Sequence, residues 1–170
     1  MDKINWSNLS TNTNAIKLLE KNVDKINWYR LSSNRNAIHL LRANPDKINW
    51  YRLSANENAI EILESNPERI NWDWLSTNEN AINLFKVNRE RINWFWVSAN
   101  KNAIALLREN PDMINWYSLS SYNENGIDLL RENPDKINWS NLSSNKNGID
   151  LLRENPGLIV TGKQIGRAHV

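Results

Sequence analysis

Residues 157–163 of the chain, Gly157-Leu-Ile-Val-Thr-Gly162-Lys163, carry the G-x-x-x-x-G-K spacing of a phosphate-cradling loop. The motif needs a Ser or Thr next, for magnesium, and Gln164 stands there instead. A helical repeat precedes the segment where the motif requires a strand, so no phosphate loop is expected. Acids recur at Asp2, Asp24, Asp46, Glu68, Glu90, Asp112 and Asp135. Each stands at an expected helix start, where a carboxylate complements the helix dipole, and that role accounts for the row. Lys3, Lys25, Lys47, Arg69, Arg91 and Lys136 follow directly, with Met113 interrupting. This basic row could touch phosphates, but pairing with the acids into a solvated ion-pair face is the expected arrangement. With no Cys, thiolate metal sites and cysteine nucleophiles are excluded, and His39 and His169 stand too far apart for a zinc centre. The chain reads as non-enzymatic, with no catalytic residues, no metal and no cofactor.

Recognition is the chemistry that the residue types do favour. Ile-Asn-Trp occurs at Ile4–Trp6 and recurs, ending at Trp28, Trp50, Trp72, Trp94, Trp116 and Trp139. Between each of these Trp and the following Leu or Val lie two residues that change while their neighbours barely do. They are Ser7-Asn8, Tyr29-Arg30, Tyr51-Arg52, Asp73-Trp74, Phe95-Trp96, Tyr117-Ser118 and Ser140-Asn141. The first of each pair falls opposite the apolar side of its helix and the second at the margin. Mere tolerance of change would leave small or charged polar residues here, not Phe95 beside Trp96. Exposed Tyr, Trp and Arg are the types that dominate binding hot spots. The candidate partner-binding residues are therefore Tyr29, Arg30, Tyr51, Arg52, Asp73, Trp74, Phe95, Trp96, Tyr117 and Ser118.

These pairs are positioned by a repeat. The Ile-Asn-Trp step is 22 residues, and 23 once, where Ser121 or Tyr122 is the extra residue and is expected to lengthen the turn between helices. Short repeats at fixed spacing mark a solenoid, each unit burying its apolar face against its neighbours. The repeat accounts for most of the 31 Asn and for seven of the nine Trp. In the third copy, Asn44-Pro45-Asp46 predicts an N-cap, a proline at the first helical position and a helix to about Ser54. Asn56 is then expected to cap a second helix through Ser65, and Asn66 to cap the next unit. In that second helix Ala59, Ile60, Ile62 and Leu63 share one face, with Glu57, Glu61 and Glu64 pointing away. In the first, Ile48, Trp50 and Leu53 bracket Asn49, which is expected inward, buried and hydrogen-bonded. Gly126 and Gly148 replace the repeat's Ala and imply close helix contact. The fold class is all-α, an α-solenoid of seven 22-residue helix-turn-helix repeats over residues 1–155, with a tail over 156–170. The alternative is a leucine-rich-repeat-like solenoid, since Leu53-Ser54-Ala55-Asn56 fits its L-x-x-N signature.

The units LSSNRNAIHLLRANPDKINW (residues 31–50) and LSANENAIEILESNPERINW (residues 53–72) resemble tandem repeats of uncharacterised proteins from giant DNA viruses. The resemblance covers residues 1–155. It departs where that pattern has Pro after the Leu-Ser-x-Asn cap; here Thr13, Arg35, Glu57, Glu79, Lys101, Glu124 and Lys146 stand there. It implies viral origin, and hence the host cytoplasm, but no activity.

Charge weighs on the choice of partner. Net charge is +2, yet Lys163 and Arg167 lie beyond the last repeat, which leaves 19 basic against 19 acidic residues within the array. A phosphate-binding array should be clearly basic. A protein or peptide partner is thus the leading expectation, single-stranded nucleic acid held by stacked aromatics the alternative, and end-to-end structural assembly a third. No targeting signal or membrane span is visible, and an intracellular location is expected. The final Ile165-Gly-Arg-Ala-His-Val170 is what a common sequencing adapter encodes, so we read it as read-through from a metagenomic fragment of a longer chain.

Overall fold

The computed structural model describes residues 4–159. They form an all-α repeat solenoid, and no strand occurs among them, which sets aside the leucine-rich-repeat alternative. The chain divides into two compact units, Met1–Asn93 and Trp94–Val170. The tail beyond Ile159, including Lys163, Arg167, His169 and the adapter-like Ile165–Val170 segment, lies outside the described residues.

The third repeat shows how the local sequence acts. Pro45–Lys47 is a 3-10 turn rather than the start of a helix to Ser54. Ile48 and Asn49 then turn extended, and the α-helix proper is Trp50–Ser54. Asn49 is its N-cap, its carboxamide oxygen accepting from the Arg52 N–H at 2.9 Å. A short carboxamide that competes with the backbone ends one element and starts another, and here that preference overrides continuous helix. The same cap recurs at Asn5, Asn27, Asn71, Asn115 and Asn138.

The other asparagines also depart from the expected roles. The second helix is Ile60–Glu64, with Ala59 at its N-cap and no side-chain cap bond. Asn56 lies ahead of it, 2% exposed. Its oxygen accepts from the Asn58 N–H, and its Nδ2 donates to the Ser32 and Asn34 carbonyls of the preceding repeat, at 3.0 and 3.2 Å. Asn66 does not cap the next unit; its Nδ2 donates backward to the Ile62 carbonyl and closes the helix it follows.

Successive repeats are therefore joined by a ladder of amide bonds. In the first unit Asn34 donates to Ser10 and Asn12, and Asn78 to Ser54 and Asn56. In the second, Asn123 donates to Ser98 and Asn100, and Asn145 to Ser120 and Asn123. An exposed parallel rung runs from Asn36, Asn58, Asn80, Asn125 and Asn147 to the Thr13, Arg35, Glu57, Lys101 and Glu124 carbonyls. A third contact comes from the buried serines. Ser32 Oγ donates to the Trp28 carbonyl and accepts from the Asn49 N–H of the next repeat.

Apolar packing completes each unit. Leu31, Leu53 and Leu75 of the first helices and Leu41, Leu63 and Phe85 of the second are fully buried in the first unit. Leu119, Leu142, Leu107 and Leu130 do the same in the second. The close helix contact at the two glycines is present: a Cβ on Gly148 would lie 2.6 Å from the Leu142 carbonyl, and one on Gly126 2.8 Å from Leu119 Cδ1. The extra residue of the sixth repeat lengthens a helix, not the turn. Trp116–Tyr122 runs for seven residues, and Asn123 still reaches both its ladder carbonyls.

Candidate binding surface

Two helical residues past each N-cap asparagine, the chain turns a side chain outward. Helices of four to seven residues that begin at the repeat Trp place it inward on a half-buried face and the next residue on the solvent side. Tyr29, Tyr51 and Tyr117 are accordingly 44–48% exposed, Asp73 and Arg30 are exposed, and Phe95 is half-buried. The second position varies more. Trp96 is 41% exposed, Trp74 and Arg52 are half-buried, and Ser118 is fully buried. Ser118 is thus removed from the set of surface residues: its small side chain sits in the sixth repeat's core margin, its Oγ without a partner.

The first unit brings Tyr29, Tyr51, Arg52 and Trp74 together. The Arg52 guanidinium lies over the Tyr29 ring at 4.5 Å and 5.8 Å from the Trp74 ring. Tyr51 and Trp74 have ring centroids 4.7 Å apart, tilted by 52°. Each contact joins variable positions of neighbouring repeats. Asp73 turns aside, its Oδ1 accepting from Asn93 Nδ2 at 2.8 Å. In the second unit Phe95 meets Trp96 edge-on at 4.9 Å and stacks with Tyr117 at 6.3 Å. Offset and edge-on rings, with a cation over a face, are the favourable geometries for such groups.

The basic row behaves differently from the expected ion-pair face. Lys25, Lys47, Arg69 and Arg91 each lie over the Trp of the preceding repeat, Trp6, Trp28, Trp50 and Trp72, at 4.5–5.9 Å. Pairing with the adjacent acid is weaker and partial: Arg69–Glu68 and Lys136–Asp135 both stand at 3.6 Å. A half-buried indole face offers a cation more than a fully solvated carboxylate does. The 22-residue spacing of Trp and the basic residue held this signal, since Lys47 follows Trp28 by nearly one repeat. The INW asparagines are likewise not buried: Asn5 is exposed and the others are half-buried, although Asn27, Asn49, Asn71, Asn115 and Asn138 are each bonded as a cap.

Ion pairs gather instead on the second helices. Arg108 binds Glu132 of the next repeat through two bonds of 2.6 and 2.8 Å, and Arg131 reaches Glu154. The bond to Arg108 holds the Glu132 carboxyl below its ordinary value. His39 is an exposed helix residue beside Glu20 at 2.6 Å. Among the described residues no group of three His, Cys, Asp or Glu is placed to hold a metal ion. No helix among them is long and apolar enough to cross a membrane. Set against known proteins, the chain matches no family model, no curated protein and no solved structure.

Proposed function

We propose that this is a non-enzymatic repeat scaffold that binds a protein or peptide partner through the variable residues of its first helices. The observation that carries this reading is the stack of Tyr29, Arg52, Trp74 and Tyr51, formed by positions that vary while the constant Asn and Ser positions bond one repeat to the next. Rings fixed against one another lose little side-chain freedom on binding, so they are suited to act as anchors. Single-stranded nucleic acid, the second reading, is favoured by the stacked rings alone and disfavoured by the zero net charge of the repeats.

Selection of a displayed random peptide library on the immobilised chain tests the proposal. Enriched peptides should lose binding to the folded Tyr29→Ser, Tyr51→Ser, Tyr117→Ser triple variant. Failure to enrich any peptide, or equal binding to the variant, contradicts it. Tighter binding of oligo(dT) with a steep dependence on salt would favour the nucleic-acid reading.

A further inference from the structure

The stack in the first unit leaves two guanidinium groups uncompensated. Arg42, Arg69, Arg108, Arg131 and Arg153 each have a carboxylate within ion-pair distance, at Glu61, Glu68, Glu132, Glu154 and Asp150. Among the described residues Arg30, Arg35, Arg52 and Arg91 have none, and of these Arg30 and Arg52 occupy the same position in consecutive repeats, beside Tyr29 and Tyr51. The nearest acid in that register, Asp73, is turned toward Asn93. Arg52 is also oriented. Its guanidinium carbon lies over the Tyr29 ring, and its Nε is buried with no partner in the protein. A guanidinium stacked on a ring keeps its in-plane N–H groups for a carboxylate, which it binds with two parallel bonds.

We propose that this surface takes an acidic peptide in extended conformation, one carboxylate at Arg52 and a second at Arg30. The inference rests on the peptide-binding reading above and names the partner's chemistry. Neighbouring helical layers stand about 10 Å apart, and an extended chain advances about 3.3 Å per residue. The two acids of the partner are therefore three residues apart. Beyond Arg52, on the side away from Arg30, the tilted pair of Tyr51 and Trp74 offers a face for a proline or an aromatic ring. A nucleic-acid backbone would present phosphates to the same two arginines. It would also run into a repeat surface whose basic and acidic residues balance, and this favours a peptide carrying few charges at set spacing.

Fluorescence anisotropy with the full chain and three labelled probes tests this assignment. The probes are Pro-Glu-Pro-Tyr-Glu-Pro, its neutral counterpart Pro-Gln-Pro-Tyr-Gln-Pro, and oligo(dT). The acidic peptide should bind at least about tenfold tighter than the neutral one, the difference expected of a charge-assisted bond. Arg30→Gln and Arg52→Gln should each remove most of that preference. Should Arg52→Gln lower the melting temperature by unstacking Tyr29, the exposed Arg30→Gln decides alone. Equal binding of the two peptides, an unchanged preference in Arg30→Gln, or tighter binding of oligo(dT) overturns the proposal. Library-selected peptides that bind the tyrosines but carry no acids would leave the peptide-scaffold reading standing and this inference refuted.

Discussion

Asn56 and Asn58 are two residues apart and make ladder bonds of similar length, yet burial gives them different weights. Asn56 serves two buried carbonyls and receives the Asn58 N–H in a site closed to water. Asn58 donates to the Arg35 carbonyl at an exposed turn, where water can replace it. Each buried group stranded by Asn56→Leu costs about 1–3 kcal/mol, so the variant should lose several times more stability than Asn58→Ala in a denaturant titration. Equal losses would show that the ladder is ornamental. Gly148 sets a second test of close packing. In Gly148→Ala the new Cβ meets a backbone oxygen rather than a pliable side chain, and the expected loss is about 1–3 kcal/mol. Gly126→Ala meets the flexible end of Leu119 and should lose less. A stability ranking in the opposite order would mean that the turn before the Ile149–Arg153 helix shifts freely.

Among the helices and turns, the sequence disclosed periodicity far better than it disclosed caps. The apolar spacing of Ala59, Ile62 and Leu63 marked the second helix and its buried face, because a single stripe at helical period has one reading. Asparagine has several. Its carboxamide can cap a helix start, close a helix end or bridge to another chain segment, and the four asparagines of each repeat divide these tasks among them. Only the through-space partner decides, and the Ser32 carbonyl that takes the Asn56 carboxamide lies 24 residues away in sequence. The variable pairs were legible at the surface position, where Tyr51 and Tyr117 are outward. At the second position Ser118 was not, because a margin residue is exposed or buried according to its size and the helix it ends against. The second helices carry a pH-dependent contribution. Glu132 is held below its ordinary carboxyl value by Arg108, so its stabilising effect is complete above that ordinary value and is lost as pH falls through the depressed one. Melting temperature should therefore drop on acidification below the usual glutamate range, and Glu132→Gln should remove part of that drop. An identical acid profile in the variant would show that the pair contributes nothing.

Within each unit, the described residues fall into two sets. Constant Asn and Ser positions, with mostly Leu and Ala beside them, join one repeat to the next within a unit, and the paired positions after each Trp differ. Trp74 and Trp96 test that separation, since a tryptophan can serve either set. Their ring neighbours are other variable residues: Tyr51 and Arg52 for Trp74, and Phe95 for Trp96. The decisive measurement is the affinity of library-selected peptides for the Trp74→Ser, Trp96→Ser double variant, taken with its melting curve. Surface substitutions change stability by about 0.5 kcal/mol or less, whereas emptying a core tryptophan site costs about 3–5 kcal/mol. If each residue belongs to the binding surface of its own unit, affinity falls at least about tenfold, some 1.4 kcal/mol, while the melting temperature moves by only a few degrees. A collapse in melting temperature, with unchanged affinity in the fraction still folded, would make both residues core and contradict the binding surface.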